Sequence, residues 1–377
     1  MNSTFKVVFN KARGALMVVN EVTSSVQGKG TKTVVAAAVA ALISGSAIAA
    51  ELSWDDLAKK TDWTYDNIAA DGSVEKPSGL VINTTDLLKE GETLKLVGYE
   101  ADSTINGLHN NDKNTTNKGV IYVEATDIKE TGLVGMTSGY LNKLTSTNDG
   151  QIYVKAKNSV QVSGMGAVQG DTIVNNGLIK TEGENTFGVI TWKDQDTEGT
   201  TTINNAGTID VTGKNAVGIR LGLTKGTNVI NNTGVIKATG EGATALKIAN
   251  VTVNLKAGSD IDGLIHIDDD ATSAAINAEG VTDTLKVKGK LHELNLVKGS
   301  NITLEDGQKS TYETVTLDDS RLNASIWSAD NTFKTVTVNE GSIFNITKLN
   351  SRVDLKSDAD LPKDQLLIAR DQSFTYD

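Results

Sequence analysis

The sequence contains no cysteine, and it has two prolines among 377 residues. The lack of cysteine excludes a disulfide framework, a thiolate zinc site and a cysteine nucleophile. The scarcity of proline is set against 36 glycines and frequent asparagine, threonine and valine. These residues favour short strands joined by tight turns, so the composition predicts an all-β protein.

Histidine is also scarce, with three residues at His109, His266 and His292. None has a second histidine at the spacing of a zinc site, and the sequence has neither a G-x-S-x-G motif nor the surroundings of a trypsin-like serine. We therefore expect no metal, no cofactor and no enzymatic activity.

The densest group of carboxylates suggests one alternative, a β-helical polysaccharide-degrading enzyme, because such enzymes use clustered acids. The group consists of Asp260, Asp262, Asp268, Asp269 and Asp270. A solvated acidic loop is the more frequent role of such a run, and it is the interpretation that we favour. The same acids could hold calcium through oxygen ligands, but their spacing matches neither an EF-hand loop nor the glycine-rich nonapeptide repeat, and a shift of the melting temperature by calcium would test this alternative.

The net charge is −11, and residues 1–50 contain five basic residues against one acidic residue, so the remainder is more acidic than the whole. Binding to a phosphate backbone requires clustered lysine and arginine. The charge distribution therefore predicts no nucleic-acid partner.

The N-terminal region has the pattern of a secretory signal. An apolar run of ten residues, Val34–Ile43, follows Lys29 and Lys32 and precedes a stretch of small residues. Such a run is too short to span a bilayer as a helix, so we expect cleavage after Ala49 or Ala50 rather than a membrane anchor.

A second basic and apolar stretch precedes this signal. Its central residues are Asn10, Lys11, Ala12, Arg13 and Gly14. With the preceding Met1-Asn2 and Phe5-Lys6-Val7, it resembles the extended signal peptide region of autotransporters, trimeric autotransporters and two-partner secretion exoproteins of Gram-negative bacteria. The resemblance implies export through the Sec machinery, and a location at the cell surface or outer membrane where a transporter barrel is supplied, otherwise in the periplasm or medium.

A short phrase recurs along the body of the chain: asparagines, a glycine, and then a short apolar strand. In its clearest copies the glycines are separated by 30 and 27 residues, and a second apolar segment follows each of them after about ten residues. The turn residues of these copies are Asn175, Asn176, Gly177, Asn204, Asn205, Gly207, Asn231, Asn232 and Gly234.

One such unit cannot bury its own apolar side, but stacked units can. Stacking places Ile179, Ile209 and Ile236 in one column at the spacing of parallel strands. We expect asparagine and glycine to supply left-handed backbone at the turns, and the asparagine side chains to exchange hydrogen bonds along the axis. The sequence thus predicts a right-handed, single-stranded parallel β-helix.

We divide the chain into a signal at 1–50, an N-terminal cap and first coils at 51–110, regular repeats at 111–260 and a less regular continuation at 261–377. Ser53 followed by Asp56 is typical of a helix N-cap, and we expect this helix to cover the first coil. Residues 270–377 lack the alternating strands of a transporter barrel. The chain could therefore be part of a longer protein, a truncated non-functional passenger remnant, or an exoprotein that uses a separate outer-membrane transporter.

The resemblance implies a passenger that acts without catalysis in adhesion, autoaggregation or biofilm formation. Its expected partners are host or bacterial surface glycans or proteins, or another copy of itself. Residues 215–218 faintly resemble the head repeats of trimeric adhesins. The long repeat period and the lack of coiled-coil heptads argue against that class.

Overall fold

The structure is a computed structural model that describes twelve segments of the chain. They are residues 5–10, 15–20, 50–66, 87–98, 104–110, 113–138, 143–168, 170–192, 199–222, 228–326, 331–339 and 341–349. Two compact units are present, residues 1–42 and residues 43–377. In the first unit, β1 (Phe5–Asn10) pairs antiparallel with β2 (Ala15–Asn20).

The second unit begins with one short helix, α1 (Trp54–Lys59), and continues as a series of short strands. Most of these strands have two to seven residues, with side chains that alternate between the interior and the exterior. Up to the point where the coils shorten, the strands are β3 (Tyr65–Asp66), β4 (Leu87–Leu88), β5 (Thr93–Val97), β6 (Ile105–Asn110), β7 (Thr115–Asn117), β8 (Val120–Thr126), β9 (Leu133–Ser138), β10 (Thr145–Asn148), β11 (Gln151–Lys157), β12 (Val162–Val168), β13 (Thr172–Asn175), β14 (Leu178–Glu182), β15 (Thr186–Trp192), β16 (Thr201–Asn205), β17 (Thr208–Thr212), β18 (Val217–Leu221), β19 (Asn228–Asn232), β20 (Val235–Thr239), β21 (Thr244–Ile248), β22 (Val251–Lys256), β23 (Asp260–Asp262), β24 (Leu264–Ile267) and β25 (Ala275–Glu279).

These strands form three parallel faces, because each strand pairs with the strand one coil before it and the strand one coil after it. Face 1 consists of β3, β5, β8, β11, β14, β17, β20 and β23. Face 2 consists of β6, β9, β12, β15, β18, β21 and β24, and face 3 of β4, β7, β10, β13, β16, β19, β22 and β25. The chain visits the faces in the order 1, 2, 3, which confirms the predicted parallel β-helix.

The coils become shorter towards the C-terminus. Thr201 pairs with Asn228, 27 residues later, whereas Ala275 pairs with Glu293, 18 residues later. A single long strand, β26 (Thr282–Val297), makes a whole coil without a break. The strands stacked after it are β27 (Asn301–Leu304), β28 (Ser310–Leu317), β29 (Arg321–Ile326), β30 (Asn331–Val338) and β31 (Ile343–Leu349). Of these, β28 and β30 continue face 3.

The core consists of columns of branched side chains, one from each coil. Ile179, Ile209 and Ile236 lie in direct register and are fully buried, as predicted. Burying one such side chain stabilises the folded state by about 1.5–3 kcal/mol, so each coil that places a side chain in the column is stabilised by this amount. Near the C-terminus the core becomes aromatic, and the rings of Tyr312 and Phe333 stack 4.9 Å apart.

Candidate functional site

Five asparagines form a ladder inside the β-helix at the start of the turn from face 3 to face 1. Each Nδ2 atom donates to the Oδ1 atom of the next asparagine at 2.7–2.8 Å, and all five side chains are buried. The members are Asn117, Asn148, Asn175, Asn205 and Asn232. Leu88 precedes the ladder in the same column and Leu255 follows it. The predicted exchange of hydrogen bonds along the axis is confirmed.

Our expectation of left-handed backbone at these turns is wrong. Gly177, Gly207 and Gly234 have no positive φ, and neither do the ladder asparagines. The glycines are required by packing, because a Cβ atom on Gly207 would lie 2.1 Å from the carbonyl oxygen of Gly177. Left-handed residues occur at the next turn instead, for example Asn215 with a φ of 54°.

The other predicted turn residues lie on the exterior. Asn176 donates to Asp149 at 2.8 Å. Asn204 and Asn231 belong to a second ladder, on the outer side of face 3, in which each Nδ2 atom donates to the preceding Oδ1 atom at 2.8–3.0 Å. This outer ladder is partly exposed and consists of Asn204, Asn231, Asn254, Asn277 and Asn295.

On the outer side of face 3, the strands β10, β13, β16 and β19 contain no charged residue, whereas the later strands carry a few charges, such as Glu293. Beside the outer ladder runs a second column, in which the coils contribute mainly threonine. It consists of Thr145, Thr172, Thr202, Val229, Thr252, Ala275, Glu293, Thr314 and Thr335. In a protein with a net charge of −11, this face presents mostly neutral side chains, and the threonines and asparagines among them can form hydrogen bonds.

The outer side of face 1 is charged, and its signs alternate from coil to coil. Lys180, Asp210, Lys237 and Asp262 stack in direct register, so Asp210 and Lys237 each lie between two charges of opposite sign. Burial raises the pKa of Asp210, and the flanking lysines oppose that rise. The charges of this face are therefore compensated within the face itself.

Residues 50–66, which we call the strap, pack on face 1. The predicted capping box is present, with the Ser53 and Asp56 side chains each accepting from the other's backbone N–H group. Our expectation that this helix covers the first coil is wrong, because Leu57 packs on Tyr122 and Tyr153, whose strands belong to later coils. The two tyrosine side chains form an apolar surface on the outer side of face 1, and the helix packs on this surface.

Polar contacts fix the strap at its beginning. The Tyr153 hydroxyl accepts from the Leu52 N–H group at 2.8 Å and donates to the Gln151 side chain. Gln151 also donates to the carbonyl oxygen of Ala50, and Lys180 pairs with Glu51. Burial raises the pKa of Tyr153 to about 12. The strap thus begins at the predicted signal cleavage site.

Among the residues of the predicted export motif, only Asn10 lies in a described segment. Asn10 ends β1, and Lys11, Ala12, Arg13, Gly14 and Ala49 lie outside the described residues. None of the helices among the described residues is long and apolar enough to cross a bilayer.

The five clustered aspartates are divided between faces. Asp260 and Asp262 lie on β23 of face 1, whereas Asp268, Asp269 and Asp270 follow β24 of face 2. Within the described segments, no group of three or more histidine, aspartate or glutamate side chains could hold a metal ion.

Comparison with known proteins gives one match. Residues 1–50 match the family model for the extended signal peptide of the type V secretion system. Neither the curated proteins nor the solved structures contain a match to the chain.

Proposed function

We propose that this chain, an autotransporter passenger of type V secretion with an extended signal peptide and a parallel β-helix, acts by contact and without catalysis. Its roles would be adhesion, autoaggregation or biofilm formation. Its partners would be surface glycans or proteins, or a second copy of the chain.

The outer side of face 3 carries this proposal. Two columns of mostly neutral side chains run along this face, one mainly of threonine from β10 to β30 and one of asparagine from β16 to β26. A contact that is weak at each coil gains strength when it is repeated on one rigid surface. Because the whole chain is acidic, two copies repel each other least where they meet through a face that carries few charges.

Beads coated with the purified exported protein test the proposal. Wild-type beads should aggregate and should bind bacterial or host cells. The variant Thr202→Asp/Thr252→Asp/Thr314→Asp places three negative charges on face 3, at positions whose side chains are partly or fully exposed. We expect this variant to lose both activities.

The matched control adds the same charge to face 1 through Thr126→Asp/Thr212→Asp/Thr239→Asp, at exposed positions. This control should aggregate as the wild type does. If coated beads neither aggregate nor bind cells, the proposed function is wrong. If the two variants lose activity equally, face 3 is not the contact surface.

A further inference from the structure

A column of basic side chains runs along the outer side of face 2. Arg220 pairs in register with Lys247, Lys247 with His266, and His266 with Lys288. Arg220 and Lys288 are exposed, and the two residues between them are partly exposed. Parallel strands lie about 4.8 Å apart, so the four groups span roughly 14 Å.

This arrangement differs from face 1, where the signs alternate. Arg220 and Lys247 are like charges directly opposite each other on neighbouring strands, which destabilises a sheet. Burial lowers the pKa of His266, which favours the neutral form of the imidazole between Lys247 and Lys288. Two acids relieve the column: Asp268 lies 3.9 Å from Lys247, and Asp268 and Asp269 both interact with His266. Arg220 and Lys288 form no ion pair with any described residue. The fold alone therefore gives no stabilising reason for this column in an acidic protein.

An aromatic patch adjoins the column on the N-terminal side. The Arg220 guanidinium lies 6.0 Å from the centre of the Phe187 ring. Trp192, which is partly exposed, packs with Phe187, Ile190 and Val217. Partly exposed aromatic rings next to polar and charged groups are frequent in recognition surfaces.

We propose that this face 2 column binds a linear anionic polysaccharide, with its carboxylate groups along the basic residues and a sugar ring against Trp192. The proposal rests on the contact function above and adds a second contact surface, on face 2, together with the class of its ligand. The column is one residue wide, which suits a single polymer chain. Asp268, Asp269 and Asp270 border it, and they would repel the denser charge of a nucleic-acid duplex.

Binding of purified exported protein to polygalacturonate tests the proposal. Calorimetry should show binding that weakens as salt is added, because the exposed charges are screened. Neutral dextran and a DNA duplex should bind at least about tenfold more weakly. The variant Arg220→Gln/Lys247→Gln/Lys288→Gln should lower the affinity for polygalacturonate by about tenfold or more, because three of the four basic groups are lost.

The control variant Lys214→Gln/Lys237→Gln/Lys256→Gln removes three exposed lysines from neighbouring coils but not from face 2. Its affinity should stay within about twofold of the wild type, and circular dichroism should show that both variants keep the wild-type fold.

The proposal is overturned if polygalacturonate does not bind, if the two variants lose affinity equally, or if the DNA duplex binds more tightly. The bead assay separates these failures from failure of the contact function, since wild-type beads can still aggregate when polygalacturonate does not bind.

Discussion

The substitution Asn175→Leu would interrupt the interior ladder at its centre. Asn175 accepts from Asn148 and donates to Asn205, each at 2.8 Å, and all three side chains are buried. The substitution leaves one N–H of Asn148 and the Oδ1 atom of Asn205 without their partners. Each orphaned buried group costs about 1–3 kcal/mol.

The substitution Asn232→Leu at the end of the ladder is the matched comparison. It leaves a single ladder side chain, Asn205, without its partner, and the next residue in the column is already Leu255. The apolar gain of the new leucine is similar at both positions. The Asn175 variant should therefore lose about 1–3 kcal/mol more of the free energy of unfolding than the Asn232 variant.

Urea denaturation of the purified variants measures this difference, and hydrogen exchange of peptides from β10, β13 and β16 locates it. Exchange should accelerate around β13 in the Asn175 variant, because each coil of a solenoid depends on its neighbours. Equal losses of stability in the two variants would show that the ladder does not act as a hydrogen-bonded series.

Three further substitutions test other parts of the structure. Gly207→Ala should lower the free energy of unfolding in urea by about 3 kcal/mol, because the new Cβ atom would meet the carbonyl oxygen of Gly177. Gly299→Ala has open space around its Cβ atom and should lower it by about 1 kcal/mol, because the backbone there has a φ of 80°. Similar losses in the two variants would contradict the packing argument. Tyr153→Phe should make the strap accessible to proteases, because the hydroxyl that holds Leu52 is lost. In the wild type the strap should stay bound below pH 10 and detach as the pH rises towards 12, because burial raises the pKa of Tyr153. Tryptophan fluorescence would follow the detachment, and a strap that is still bound above pH 12 would contradict this role of Tyr153. Two lysine side chains, Lys290 and Lys334, lower the pKa of Glu313 to about 2. The contribution of Glu313 to stability should therefore be present above pH 4.5 and lost as the pH falls towards 2. Glu313→Gln should remove that part of the acid dependence of the melting temperature, and an unchanged acid dependence would contradict this role of Glu313.

The repeat is predictable from the sequence because its pattern is local. A glycine followed by a short apolar strand recurs at nearly constant spacing, and this spacing alone places Ile179, Ile209 and Ile236 in one column. The reason for the glycines is not predictable in the same way, because the obstacle to a Cβ atom is the backbone of the preceding coil.

The strap and the basic column depend on contacts that the sequence does not show. Leu52 and Tyr153 are 101 residues apart, so the capping box predicts the helix but not the surface on which it packs. Arg220, Lys247, His266 and Lys288 are unevenly spaced because the coils shorten along the chain. Strand register alone brings them together.

Antibody labelling of intact cells of the bacterium that makes this protein tests most directly whether it acts at the cell surface. The antibody should be raised against the described β-helix and compared on intact cells and on cells with a permeabilised outer membrane. Labelling of intact cells, abolished by external protease, is the predicted result. Labelling that requires permeabilisation would confine the protein to the periplasm and contradict a contact function.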